Sequence, residues 1–175
     1  MICDFPLFLA AWNACQNHRT PRVHMKIAKW LQRGQSEPSP RLLLMAFRSC
    51  GKSTLVGVFC AWALARAPDT RILVLSADLA LARKMVRNVK RIIEKHPMTK
   101  HLKPEKLDQW GSEKFTVNRQ QELRDPSMLA KGITTNLTGT RADIIIVMMS
   151  KFQKHQTHKK NVRSCVSVYW SWIIS

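Results

Sequence analysis

Residues 42–54 read LLLMAFRSCGKST. An apolar run of β type enters a short polar turn, and a helix-compatible stretch then continues to about Arg66. Strand, turn and helix in that order frame a phosphate-binding loop. Residues 46–54 fit G-x-x-x-x-G-K-[ST], with Ala46 where the first glycine normally stands. Each residue type has a physical reason. Backbone N–H groups in the turn and at the helix N-terminus surround phosphate oxygens. Gly51 lets the backbone approach closely, Lys52 reaches the β- and γ-phosphates, and the Ser53 hydroxyl binds Mg2+. Ala46, Arg48, Ser49, Cys50, Gly51, Lys52, Ser53 and Thr54 are therefore the expected ATP contacts, with Ser53 also the metal ligand. Arg48 is unusual inside such a loop. It is a candidate arginine finger supplied in cis; the alternative is an arginine turned to solvent or to a neighbouring acid. A chance G-K-S is the competing reading of the whole motif, and the flanking strand and helix weigh against it.

Moving outward, PDT at residues 68–70 turns the chain into a second β-type run, residues 72–77. Residues 79–96 read as a long amphipathic helix with Ala82, Met85, Val86, Val89, Ile92 and Ile93 inward. Arg83, Arg87 and Arg91 form a row at i, i+4 spacing, suited to phosphates or simply to water. Residues 97–111 are irregular, residues 115–117 and 128–133 are weaker strand candidates, and residues 144–147 are the strongest. Before the loop, an apolar segment covers about residues 5–17. A second helix starts at TPRVHMKIAKWLQRG, with Thr20 as cap, Pro21 at its first position and Gly34 as stop. Its expected inward face is Val23, Ile27, Trp30 and Leu31, and residues 36–40, SEPSP, form a linker. Alternating strands and helices imply an α/β protein with a mainly parallel sheet.

The chain has 175 residues, enough for one domain with a real core, and 45% of them are hydrophobic. Its formal net charge is +18, which favours nucleic acid as a partner over a merely basic surface or an acidic protein. Five cysteines without C-x-x-C spacing argue against a disulfide framework or zinc site and for a reducing compartment. His155 and His158 have no companion to complete a metal shell. No run is long and apolar enough to predict a membrane span, and the N-terminus, with Asp4 and no positive leader, reads as a core or docking helix.

AFRSCGKST resembles the Walker A variant of tailed-phage terminase large subunits, in which a small residue opens the loop and an arginine follows two places later. DFPLFLAAWNA, PRVHMKIAKWLQRG, RILVLSAD and GITTNLTGTRADIIIV occur in the order that podovirus-type terminases use, so the resemblance covers about residues 4–147. It implies an ASCE-type P-loop NTPase that uses ATP and Mg2+ to drive double-stranded DNA into a capsid. It also implies a place in the host cell cytoplasm, motor rings, and portal, capsid and small terminase subunit as partners. Lys52 and Ser53 carry over as phosphate and magnesium residues, and Arg48 as the loop arginine. The segment at residues 21–32 corresponds to one near the adenine site, which makes His24 a candidate adenine contact or else a polar residue near a helix start.

The departure lies in the last strand. In the family it runs into Asp-Asp-Val-Glu-x-Pro, whose acids hold magnesium and position water; here it runs into Met148 and Met149. The codons GAT GAT GTC GAA GTT CCA spell Asp-Asp-Val-Glu-Val-Pro. One base later they read ATG ATG TCG AAG TTC CA, or Met-Met-Ser-Lys-Phe and then Gln or His. Residues 148–153 are MMSKFQ. A lost base, or two gained, near codon 147 is therefore expected, with the remainder translated out of frame. All 11 acidic residues lie at or before Asp143, in keeping with that reading. The alternative is a C-terminus with a new role of its own.

The expected organisation is thus a helical segment at 1–40, a partial P-loop core at 41–147 and a non-family tail at 148–175. ATP binding is expected with hydrolysis near background and no DNA cleavage, since the family's nuclease half has no counterpart. Asp143 precedes the strand and is expected at the end away from the phosphates. The family places a later strand between the loop strand and the acid-bearing strand. Without it the sheet is incomplete, and CVSVYWSWII at 165–174 offers a makeshift replacement of unspecified order and register. Two other readings stand beside this one. One is a different P-loop protein, such as a kinase or helicase fragment; the other is a non-enzymatic basic protein that binds nucleic acid or interferes with a packaging motor.

Overall fold

The apolar stripes convert into helices and strands close to their expected positions. A computed structural model describes residues 3–37, 41–47, 49–105, 109–149 and 164–170, with Met149 and the last segment described by their backbone alone. Helix α1, Phe5–Cys15, buries Phe8 and Trp12 along with Phe5 and Leu9, the i, i+3, i+4, i+7 stripe of an amphipathic helix. It leans on α3, Lys52–Arg66: the Phe5 ring meets Phe59 edge-on at 5.2 Å, and the Trp62 indole N–H donates to the Cys3 carbonyl at 2.8 Å. Helix α3 is apolar on nearly every side and accordingly buried on nearly every side.

Helix α2, Arg22–Gln35, departs from its expected ends. Thr20 does not cap it; Pro21 occupies the cap position without a side-chain bond, and the Thr20 hydroxyl accepts from Asn13 Nδ2 at 2.9 Å. Gly34 does not stop it. The helix continues to Gln35, and Gly34 is buried against the first strand, where a Cβ would lie 2.4 Å from Leu42 Cδ1. Gly34 thus serves close helix–strand packing there and not a left-handed cap. Val23, expected inward, is 56% exposed because the buried side of α2 is Ala28, Leu31 and Gly34.

Strand β1 is Arg41–Ala46, β2 Ile72–Ser76, β3 Lys114–Phe115, β4 Met128–Gly132, β5 Ile144–Met149 and β6 Ser164–Trp170. Helix α4, Leu79–Lys95, buries the six residues read as inward, and Asp78 caps it by accepting from the Ala80 N–H at 2.8 Å. Within the expected irregular stretch the described residues include a short 3-10 turn, Lys100–Leu102. The weaker strands are shorter than read: β3 is two residues long, and Ile133 falls outside β4.

The sheet order is β1-β6-β5-β2-β4-β3. Strand β2 pairs in parallel with both β4 and β5, while β6 pairs antiparallel with β1 and with β5. Strands β1, β5, β2 and β4 therefore point one way, and β3 and β6 point back. This is the mainly parallel α/β sheet of a P-loop NTPase. The gap left between β1 and β5 by the missing family strand is filled by β6, from the run read as a makeshift replacement, with Cys165 opposite both Met45 and Met149. A single reversed strand thus supplies hydrogen-bond partners to both neighbours, though its direction is opposite to theirs.

Candidate phosphate-binding site

Strand β1 ends at Ala46, and α3 begins at Lys52. Between them Ser49 has φ 68° and Gly51 has φ 80°, so the chain turns through two left-handed residues. The N-terminus of α3 has no side-chain cap, which leaves its first N–H groups available to an anion. Lys52 is 7% exposed. Its ammonium folds back on the loop, donating to the Ala46 carbonyl at 2.8 Å and the Phe47 carbonyl at 2.6 Å, with Cys50 Sγ at 3.6 Å. The loop's own acceptors hold the charge in the place a phosphate would take over. Arg48 lies outside the described residues, as do His155 and His158.

His24 of α2, the candidate adenine contact, stands at the loop itself. Its Nε2 is 2.8 Å from the Cys50 carbonyl, and a Cβ on Gly51 would come within 3.0 Å of its ring. Gly51 is therefore required twice, for its left-handed backbone and for the ring above it.

Beside the loop a cavity of about 430 Å³ opens between α3, α4 and β5. Ser53 and Thr54 line it from α3, Lys84, Arg87 and Arg91 from α4, and Met148 from β5. Among the described residues no carboxylate lines it. Of the basic row read from the sequence, Arg87 and Arg91 face this cavity, whereas Arg83 turns away and pairs with Glu113. Lys84 takes the vacated place, a substitution that i, i+4 spacing did not show because Lys84 and Arg91 are related by two full turns.

The acids are elsewhere. Asp143 sits at the opposite end of β5, where its carboxylate accepts from the Arg71 guanidinium at 2.7 and 3.0 Å and from the Arg71 N–H at 2.8 Å. Burial alone would raise its pKa, but the hydrogen bonds and charge of Arg71 outweigh burial and hold it below the usual carboxylate range. Asp78 lies at the same end of the sheet as the loop, committed to the cap of α4 and outside the cavity lining.

The loop fits a phosphate chain, with a buried lysine, an uncapped helix start and a glycine at close approach. The lining does not fit magnesium, which takes about six oxygens in near-octahedral array, usually with one or two carboxylates. Here the two hydroxyls face thioether and cationic groups, and thioether sulfur is a poor ligand for so hard an ion.

No protein-family model matches the chain. It is 35% identical over 144 residues to the terminase large subunit of Enterobacteria phage T3, a match that covers 82% of this chain and 24% of that protein. The chain thus spans about a quarter of the length of the curated relative it matches. By that match, together with its mainly parallel α/β sheet, the chain belongs with the phage terminase large subunits, as a piece of one.

Proposed function

We propose that this chain is an ATP-binding piece of a DNA-packaging terminase large subunit, and that it hydrolyses ATP at a rate near background. The observation that carries the second half is Met148. It lies 4% exposed in the cavity beside Ser53 and Thr54, where hydrolysis needs a group that orients water and helps hold metal. A thioether does neither. Ser53 is the one member of the expected Mg2+ shell that the described residues retain. Lys52 would leave the Ala46 and Phe47 carbonyls for the phosphates, and Arg48, outside the described residues, carries over from the resemblance as the loop arginine.

The same proposal reads residues 148–175 as out-of-frame translation, supported by the six-residue fit of MMSKFQ to the shifted acidic motif. Double-stranded DNA, portal, capsid and small terminase subunit, a ring assembly and a place in the host cytoplasm are the proposed setting. No helix among the described residues is long and apolar enough to cross a membrane.

The test is ATP binding and turnover by the full chain with linear DNA. Binding that Lys52→Ala weakens by about 100-fold, with no turnover above background, is expected; the loss corresponds to one or two charge-assisted hydrogen bonds. Turnover that depends on Lys52 would refute the inactive reading. Sequencing the gene across codon 147 tests the shift, since any other codon pattern under residues 148–153 removes it. The net charge of +18 favours one second reading, a basic nucleic-acid-binding protein. A salt-dependent DNA shift unaffected by Lys52→Ala would support it.

A further inference from the structure

Helix α4 brings three cations to the cavity, and among the described residues no acid lines it to answer them. Lys84, Arg87 and Arg91 fall at i, i+3 and i+7, along one face. Asn88 sits at the centre of that face, and its Nδ2 lies 2.5 Å from where a Cβ on Gly57 would stand. Gly57 is four residues beyond Ser53 on α3, so the two share a side of that helix. At Gly57 α3 thus faces the Asn88 amide of α4 directly, and the basic row lines the same cavity as the hydroxyls of Ser53 and Thr54.

Two other cations of α4 are engaged: Arg83 pairs with Glu113, and Lys90 donates to the Trp110 carbonyl at 2.7 Å. Lys84, Arg87 and Arg91 have no ion pair or hydrogen bond among the described residues. Three like charges around one cavity repel each other and any divalent cation, and they attract a polyanion.

We propose that this cavity is a metal-independent site for the triphosphate of a nucleotide, in which Lys84, Arg87 and Arg91 neutralise the phosphate charge that a divalent ion would otherwise carry. The proposal rests on the reading of the loop as an ATP cradle. Phosphates entering from Lys52 and the start of α3 meet the α4 row next, in the space that Met148 closes without adding negative charge. The basic row contributes direct, charge-assisted hydrogen bonds from two guanidinium groups and one ammonium.

The experiment measures ATP binding to the full chain by calorimetry, in EDTA and in excess Mg2+, for the unmodified chain, Lys52→Ala and the double variant Arg87→Ala/Arg91→Ala. Binding in EDTA at least as tight as in Mg2+ is expected, together with a loss of about tenfold or more in the double variant. Both arginines are exposed, so the double variant should keep its fold; the EDTA comparison on the unmodified chain stands whether or not it does. Binding that requires Mg2+ overturns the proposal. So does a double variant that binds ATP normally while Lys52→Ala does not, an outcome that leaves the cradle intact and removes only the α4 row. Indifference of ATP binding to Lys52 would fell the cradle reading itself. If the double variant loses short duplex DNA and keeps ATP, the row serves DNA and the proposal falls.

Discussion

Strand β5 has two ends of opposite character. At its start Asp143 holds Arg71 through side chain and backbone, an ion pair that ties β5 to β2. At its finish Met148 faces hydroxyls and unpaired cations. The acid at the first end is structural, and the second end has none among the described lining residues. Charge at the first end is neutralised within the protein. At the second end no acid among the described lining residues neutralises it. A fold can thus keep its architecture at one edge of a sheet while the opposite edge changes its chemistry, because each edge is stabilised by different contacts.

The contrast can be broken most strongly from the cavity side. Gly57→Leu should push Asn88 and α4 away from α3, at a cost of about 2 kcal/mol from overpacking, seen as a lower Tm. It should also weaken ATP binding in EDTA. Met148→Asp reverses the sign at the phosphate end. Affinity for ATP in EDTA should fall by about tenfold, and Mg2+ should restore it, because a carboxylate then faces the anion and can hold the ion. An unchanged metal response in calorimetry would show that Met148 is not where phosphates arrive.

Asp143→Asn probes the other end. With side chains 24% and 44% exposed, the pair is discounted for solvent screening, and a loss of about 1 kcal/mol in urea unfolding is expected, with ATP binding untouched. The pH dependence is the finest measure. Asp143 is lowered in the fold, so its stabilisation is complete above its unfolded value and disappears as pH falls through the lower folded one. His96 acts at higher pH. It is buried, stacked on Phe8 at 3.8 Å, with Nε2 3.0 Å from the Phe8 carbonyl, and burial lowers its pKa despite that hydrogen bond. Its neutral form is favoured in the fold, so stability is full above about pH 6.5 and declines as pH falls toward its lower folded value. His96→Gln should flatten that decline and leave the Asp143 limb in place.

Much of this was legible beforehand. Residues 42–54 announced strand, loop and helix because glycine, lysine and serine at that spacing have a narrow structural use. The inward residues of α4 followed from helical periodicity alone, since burial of one face is a local pattern repeated every 3.6 residues. The ends of α2 did not follow. Gly34 reads as a stop when only its backbone freedom is considered, and its real role depends on Leu42 packing against it from another element. The gap that β6 fills was named as an option, but its direction and register were beyond reach for a related reason: an apolar run of β type can pair in either direction, and nothing within it selects one.

Sequence by itself determined the strand–turn–helix around Gly51, the alternation of strands and helices, and the presence of methionines, with no acid, after Val147, since each is a matter of residue type and spacing along the chain. Only the tertiary structure decided that Lys84 joins Arg87 and Arg91 around Met148, that His24 bonds the loop carbonyl, and that Asp143 is committed to Arg71. Those facts depend on how closely separate elements approach. Here Asn88 of α4 comes close over Gly57 of α3, and no pattern within either helix encodes that distance.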